Sequence, residues 1–198
     1  MTELRPLPVS FFRRQAKVVA RGLLGQLLVH KQEGKVLLGR IVETEAYYGY
    51  KDPASRAYKG RKNMNRWMWA APSTVFIYMV HNQWMLNAIT GKKGDPQGVL
   101  IRAVEPLSGI QLMKRRRGTA ELRNLCSGPG KLTRALGITA VHNGRSFSSQ
   151  DSDLTIVRGE KVTDAHVARS HRIGVSRDLK EPLRFYVRVN KFVSRAKP

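Results

Sequence analysis

The stretch Arg40-Ile41-Val42-Glu43-Thr44-Glu45-Ala46-Tyr47 holds the residues best placed for chemistry. In an extended strand alternate side chains share a face. Ile41, Glu43, Glu45 and Tyr47 are therefore expected on one side, with Val42, Thr44 and Ala46 on the other. The chain carries only 14 acidic residues against 36 basic ones, so two carboxylates spaced by two beside a tyrosine are unusual for it. A carboxylate in apolar surroundings, or near a like charge, has a raised pKa and can act as a general base. The pattern fits equally well two carboxylates that neutralise neighbouring arginines, and the residues alone leave both readings open.

Other reactive patterns are sparse. His30, His81, His142, His166 and His171 show no HxxxH or HxH spacing, and Cys126 is the single cysteine. This excludes an intramolecular disulfide, a cysteine-rich zinc site and a zinc deaminase, which needs two or three Cys ligands. Neither a GxSxG nucleophile turn nor a GxxxxGK[ST] phosphate loop is present. Gly128-Pro129-Gly130-Lys131 enters a predicted helix, where backbone N–H groups and Lys131 could hold a phosphate. A plain turn reads the same way.

The surroundings of these residues are strongly basic. With 198 residues and 41% apolar content the chain is expected to form one domain over 1–198 with a sizeable core. Its formal net charge of +22 excludes an acidic enzyme surface and points to a polyanion as partner, nucleic acid first and an anionic membrane surface second. Pro53 to Gly94 contains no carboxylate, but holds Arg56, Lys59, Arg61, Lys62, Arg66, Lys92 and Lys93, interleaved with Tyr58, Trp67, Trp69, Phe76, Tyr78 and Trp84. Cations that hold phosphates and rings that stack on bases suit a nucleic-acid surface. A basic exterior over core aromatics has the same composition. No run approaches 18 apolar residues, and Met1 to Ser10 lacks a signal-type apolar segment.

The elements that must position these residues are of mixed type. Phe11 to Leu24 is predicted as a helix. Leu27 to His30 and Lys35 to Tyr47 are predicted strands joined by a turn at Gln32-Glu33-Gly34. Val75 to Val80, Gly98 to Val104, Ile173 to Val175 and Leu183 to Val189 read as further strands, and Leu107 to Arg117 and Lys131 to Leu136 as helices. Gly144 to Asp153 reads as a loop within the same domain. Without βα alternation, α+β is the expected class.

Read together, several segments resemble the alkyladenine DNA glycosylases, the 3-methyladenine DNA glycosylases of the mammalian type. They are LPVSFF at 7–12, VARGLLGQLLV at 19–29, GRIVETEAYYG at 39–49, DPASRA at 52–57, VLIRAVEPLSG at 99–109, LCSGPGKLTRALGI at 125–138, RIGV at 172–175 and LRFYV with FVSR within 183–195. They follow the family's order over nearly the whole chain. The resemblance implies a single α+β domain, with a curved, mostly antiparallel sheet, surrounding helices and a protruding DNA-inserting hairpin. It implies a monofunctional glycosylase that flips an alkylated or deaminated purine, such as 3-methyladenine, hypoxanthine, ethenoadenine or 7-methylguanine, out of duplex DNA and hydrolyses its N-glycosidic bond. No metal or organic cofactor is implied, and a monomer is expected. A cytoplasmic, nucleoid-associated location is expected in a prokaryote and a nuclear one in a eukaryote.

The resemblance assigns Glu45 as general base and Arg102 as its neighbour, orienting water or holding a phosphate. Tyr47 and Tyr78 become stacking walls for the flipped base, and Asn87 the residue that screens out normal guanine. Arg61, Lys62, Arg66 and Lys131 are expected on DNA. Three segments depart from the family pattern. Arg56 stands where the family commonly has a histidine that contacts the flipped base. Arginine donates and never accepts hydrogen bonds, so Arg56 should favour an acceptor-bearing base such as hypoxanthine and repel cationic 7-methylguanine. The hairpin after Tyr78 reads Met79-Val80-His81-Asn82-Gln83-Trp84, one residue shorter than usual, and leaves His81 first and Val80 second as the wedge, with Met79 as an apolar alternative. Arg61-Lys62-Asn63-Met64-Asn65 replaces a Thr-x-Arg-Asn pattern. Two other readings compete: a non-catalytic DNA- or RNA-binding protein on the same fold, and a bifunctional enzyme with a lysine Schiff base.

Overall fold

A computed structural model describes residues 5–194. Readings that involve residues 1–4, and Arg195 at the end of the FVSR segment, lie outside the described residues. Eight strands form one antiparallel sheet: β1 (Leu27–Gln32), β2 (Lys35–Tyr47), β3 (Val75–Val80), β4 (Gln83–Thr90), β5 (Gln97–Ser108), β6 (Leu154–Val157), β7 (Val167–Ser170) and β8 (Arg184–Val187). The order is β3-β4-β5-β2-β1-β6, with β8 beside β2 and β7 beside β8. The α+β class holds.

The long strand β2 organises the sheet. β5 runs along one edge of it, while the other edge pairs first with β1, over Lys35 to Arg40, and then with β8, over Glu43 to Glu45. Glu43 and Glu45 therefore lie on backbone held from both sides. The β2–β5 register pairs Ile41 with Val104, Glu43 with Ala103, and Thr44 with Ile101. Val42 and Arg102 are each the extra residue of a bulge. A bulge re-aims side chains and resets the alternation, which corrects the simple face assignment made from spacing. Ile41 joins the main core with Ala46, and Val42 packs apart from them with Ala103 and Phe192. Gly39 is required on β2 because a Cβ there would lie 2.6 Å from Val104 Cγ2.

Among the described residues four α-helices cover this frame: α1 (Val9–Phe12), α2 (Ala16–Leu23), α3 (Ile110–Arg117) and α4 (Pro129–Leu136). In α2, Ala16, Val19, Ala20 and Leu23 are buried, the i, i+3, i+4, i+7 stripe of a helix laid on a sheet. Thr44 Oγ1 donates to Ala20 O at 2.9 Å and ties that stripe to β2.

Several predicted elements are corrected. The single helix over Phe11 to Leu24 is two helices. At the break, the carbonyls of Phe12 and Arg14 accept from Gly91 N, and Ala16 N donates to Gln97 Oε1. The helix predicted from Leu107 begins only at Ile110, because β5 continues to Ser108 and Gly109 turns the chain at φ +75°. Ile173 to Val175 is a bend rather than a strand, with Gly174 at φ +74°. β4, β6 and β7 had no prediction. β4 returns from β3 through His81 and Asn82, at φ +47° and +58°, a two-residue turn of the kind usually marked by Asn-Gly.

Candidate active site

The bulges bring three charged groups together at the centre of the sheet. Arg102 Nε donates to Glu43 Oε1 at 2.9 Å, and Arg102 Nη1 lies 3.2 Å from Glu45 Oε1. Glu43 is fully buried and saturated. Its Oε1 also accepts from Arg184 Nε at 2.7 Å and Ser194 Oγ at 2.8 Å, and its Oε2 accepts from Ser194 N at 2.7 Å. Glu43 is thus a neutralising anchor, one of the two readings of the pair.

Glu45 is placed differently. It too is fully buried. Its Oε1 accepts from Ile173 N at 2.8 Å and its Oε2 from the Tyr47 hydroxyl at 2.8 Å. Burial pushes the Glu45 carboxyl above the ordinary carboxylate range, against the opposing pull of Arg102, Ile173 N–H and Tyr47. Burial works against the charge on Arg102, but the Glu45 and Glu43 carboxylates outweigh it and hold the guanidinium protonated. Burial, reinforced by Glu45, raises the Tyr47 hydroxyl well above its usual value, so it stays a donor.

A cavity of about 610 Å³ opens directly over this cluster, within the usual size for a small-ligand site. Tyr47, Arg102 and Ile173 form the wall in front of Glu45. Tyr78 and Arg56 line it as well, with the Arg56 guanidinium 4.6 Å above the Tyr78 ring. Burial raises the Tyr78 hydroxyl despite Arg56. Val80, His81 and Lys62 also line the cavity, and His81 is exposed at the hairpin turn.

The other sequence-predicted residues fall nearby. Asn87 lies in a small adjoining recess of about 10 Å³ that also touches Tyr47, Arg56 and Tyr78. Its Nδ2 donates to the carbonyls of Phe76 at 3.2 Å and Met85 at 2.9 Å, which fixes the amide on the β3–β4 hairpin. Arg61, Arg66 and Lys131 do not line the cavity. Arg66 rests 5.2 Å above the Trp67 ring and donates to Asn63, and Lys131 donates to Asn124. Trp67 and Trp69 pack on Ala57, Met68, Phe76 and Ile89, and thus support the loop from below.

Sequence reasoning missed the group that holds Tyr47 and Ile173. Arg172 makes a two-pronged pair with Asp52, at 2.6 and 2.8 Å, and donates to Asp178 Oδ1 at 2.7 Å and to Ala46 O at 2.9 Å. Its guanidinium lies 4.5 Å from the Tyr47 ring. Asp52 also accepts from Tyr48 N and Ala54 N, each at 3.0 Å. Both residues sat in quoted motifs, DPASRA and RIGV, but neither motif says that they meet.

Comparison with known proteins identifies the family of the chain. The family model for methylpurine-DNA glycosylase (MPG) matches residues 10–191. A relative from Methanoculleus marisnigri is 39% identical over 96% of this chain and 98% of its own. One from Salinibacter ruber is 40% identical over 98% and 99%, and one from Francisella tularensis subsp. tularensis 39% over 89% and 92%. All three carry the name "Putative 3-methyladenine DNA glycosylase". The chain belongs to the methylpurine-DNA glycosylase family.

Proposed function

We propose that this family member is a base-excision-repair glycosylase. It takes a damaged purine nucleotide from duplex DNA into the cavity bounded by Tyr47 and Tyr78 and hydrolyses the bond between the base and C1′. The observation that carries this reading is Glu45, a buried carboxylate directly behind the wall of a cavity lined by Tyr47, Tyr78, Arg56 and Arg102.

Flipping is required because C1′ is inaccessible within the stack, and it costs a few kcal/mol, least for a damaged pair. Lys62 at the cavity mouth, with Arg61, Arg66 and Lys131 further out, holds phosphates through the distortion. His81, at the tip of the β3–β4 hairpin, fills the gap left by the nucleotide, with Val80 beside it. Electron-poor bases stack well on the Tyr47 and Tyr78 rings. Asn87, its amide nitrogen tied to the hairpin, presents its remaining face toward the recess and crowds the exocyclic amine of normal guanine.

Glu45 takes a proton from a water as that water attacks C1′. The electron pair of the glycosidic bond leaves with the base, and an abasic site remains. The carboxylate also stabilises positive charge developing on the sugar. Arg102, held by Glu43, orients the water or a phosphate. Arg56 selects for a base with acceptors at its edge. No covalent bond between protein and sugar forms, so the enzyme is monofunctional and needs no cofactor.

The test is a set of duplexes carrying hypoxanthine, ethenoadenine, 3-methyladenine or 7-methylguanine, incubated with the protein in the presence and absence of borohydride. Release of free base without a trapped protein–DNA adduct is the expected result. DNA binding without release of any of these bases would favour a binding protein on this fold. A trapped adduct would point to lysine chemistry, with Lys59 and Lys62 the lysines on the cavity wall.

A further inference from the structure

Outside the catalytic cavity, the fold brings together two histidines that are distant in sequence. His30 lies on β1 and His142 in a short 3₁₀ turn after α4, and both are buried. Their Nε2 atoms are 3.2 Å apart, with the rings at 82° to one another. The Asp153 carboxylate approaches the same point, so that one ligand atom from each residue falls within 4.8 Å of the other two. β1–β6 pairing places Asp153 there, because His30 stands opposite Leu154.

The hydrogen bonds fix the tautomer of His30 and allow two for His142. His30 Nδ1 lies 2.7 Å from the carbonyl of Leu136. A carbonyl only accepts, so Nδ1 carries the proton and Nε2 presents a lone pair toward His142. His142 Nδ1 has two backbone neighbours, Thr139 N at 3.2 Å and Thr139 O at 3.0 Å. With the proton on His142 Nε2, Nδ1 accepts from Thr139 N–H and Nε2 donates to His30. With the proton on Nδ1, it donates to Thr139 O, and both Nε2 lone pairs point into the same space. That second arrangement needs a cation. Two nitrogens bound to a tetrahedral ion at 2.0–2.1 Å lie about 3.3 Å apart, close to the observed 3.2 Å.

We propose that His30, His142 and Asp153 form a divalent transition-metal site, best suited to Zn²⁺. Two imidazoles and one carboxylate favour such an ion over Mg²⁺ or Ca²⁺, which prefer oxygen ligands. Uptake only moves the His142 proton from Nε2 to Nδ1, so none is released. Arg145 Nη1 donates to Asp153 Oδ1, so the other carboxylate oxygen is the one left for the ion. The site shares no residue with the lining of the large cavity. Its role is that of a clip: Asn143, next to His142, accepts from Ile77 N at 2.7 Å and donates to Ile77 O at 3.0 Å, beside Tyr78.

The test uses the full chain stripped with a chelator, then titrated with Zn²⁺ alone against a chromophoric competitor, and separately with Co²⁺. The expected result is one equivalent bound, tetrahedral Co²⁺ absorption bands, and a Tm raised by about 5–10 °C at a hundredfold excess over Kd. Asp153→Asn and His142→Asn should each weaken uptake at least tenfold, and both leave His81, His166 and His171 in place. If His142→Asn does not fold, Asp153→Asn carries the test, since Asp153 is only partly buried. Absence of stoichiometric uptake by the native chain, or uptake unchanged in Asp153→Asn, would overturn the proposal.

Discussion

Replacing Tyr47 with phenylalanine keeps the ring that faces Arg172 and removes one hydrogen bond, the 2.8 Å contact from the hydroxyl to Glu45 Oε2. That bond favours the ionised carboxylate, which burial already disfavours. Its loss should therefore raise the proton affinity of Glu45 further. A hydrogen bond to a charged group contributes about 1.5–3 kcal/mol, and about 1.4 kcal/mol corresponds to a tenfold change in the ionised fraction. The lower end applies here, because Ile173 N–H and Arg102 stay in place. A base must be deprotonated to act, so activity rises with pH through the folded-state pKa of Glu45. In Tyr47→Phe the acid limb should move to higher pH, with excision there slower by roughly tenfold and at most about a hundredfold. The two profiles should converge on the alkaline side. The assay is single-turnover excision as a function of pH on one hypoxanthine duplex. A uniform loss at every pH would refute the reasoning, because it would place the hydroxyl on the base or transition state rather than on Glu45.

Three further outcomes follow from the same geometry. Arg56→His should raise 7-methylguanine excision relative to hypoxanthine, since it removes a permanent cation from the cavity wall; an unchanged ratio in a competition assay would exclude Arg56 from base selection. Glu43→Gln should destabilise the fold by about 3–5 kcal/mol in urea unfolding, because it leaves the buried Arg184 guanidinium without its carboxylate partner, while Arg102 keeps Glu45; a loss below about 1 kcal/mol would mean that the cluster relaxes around the change. Lys62→Ala should weaken DNA binding alike across sequences and lower the salt slope by about one; an unchanged slope would remove Lys62 from the phosphate-binding set.

The sequence made the frame around the site legible where local signals were strong. β2 is readable from its turn and its apolar content, and α4 from Lys131 on, after the loop Gly128-Pro129-Gly130, although the helix begins two residues earlier, at Pro129. β4 is not readable, because its turn uses His81-Asn82 rather than a glycine pair. The helix break before Ala16 depends on Gly91 and Gln97, more than 70 residues away, and no local pattern encodes it. At the candidate site, the Glu43–Glu45–Tyr47 spacing singled out the strand that borders the cavity, but two bulges decide how the residues are aimed. Spacing could not separate the surroundings of the two glutamates. The structure does, by surrounding Glu43 with Arg102, Arg184 and Ser194 and by setting Glu45 behind the cavity wall. Arg172, Asp52 and the His30–His142 pair were invisible for the same reason. Each depends on contacts between segments brought together only by the sheet.

The central claim is that Glu45 acts on water and is not merely a buried partner of Arg102. Single-turnover excision by native protein and Glu45→Gln, with DNA affinity measured in parallel, tests it most directly. The account predicts excision slower by about 10²–10⁴-fold in the variant, with duplex affinity within a few-fold of native. A variant that binds as tightly and excises at close to the native rate would contradict it.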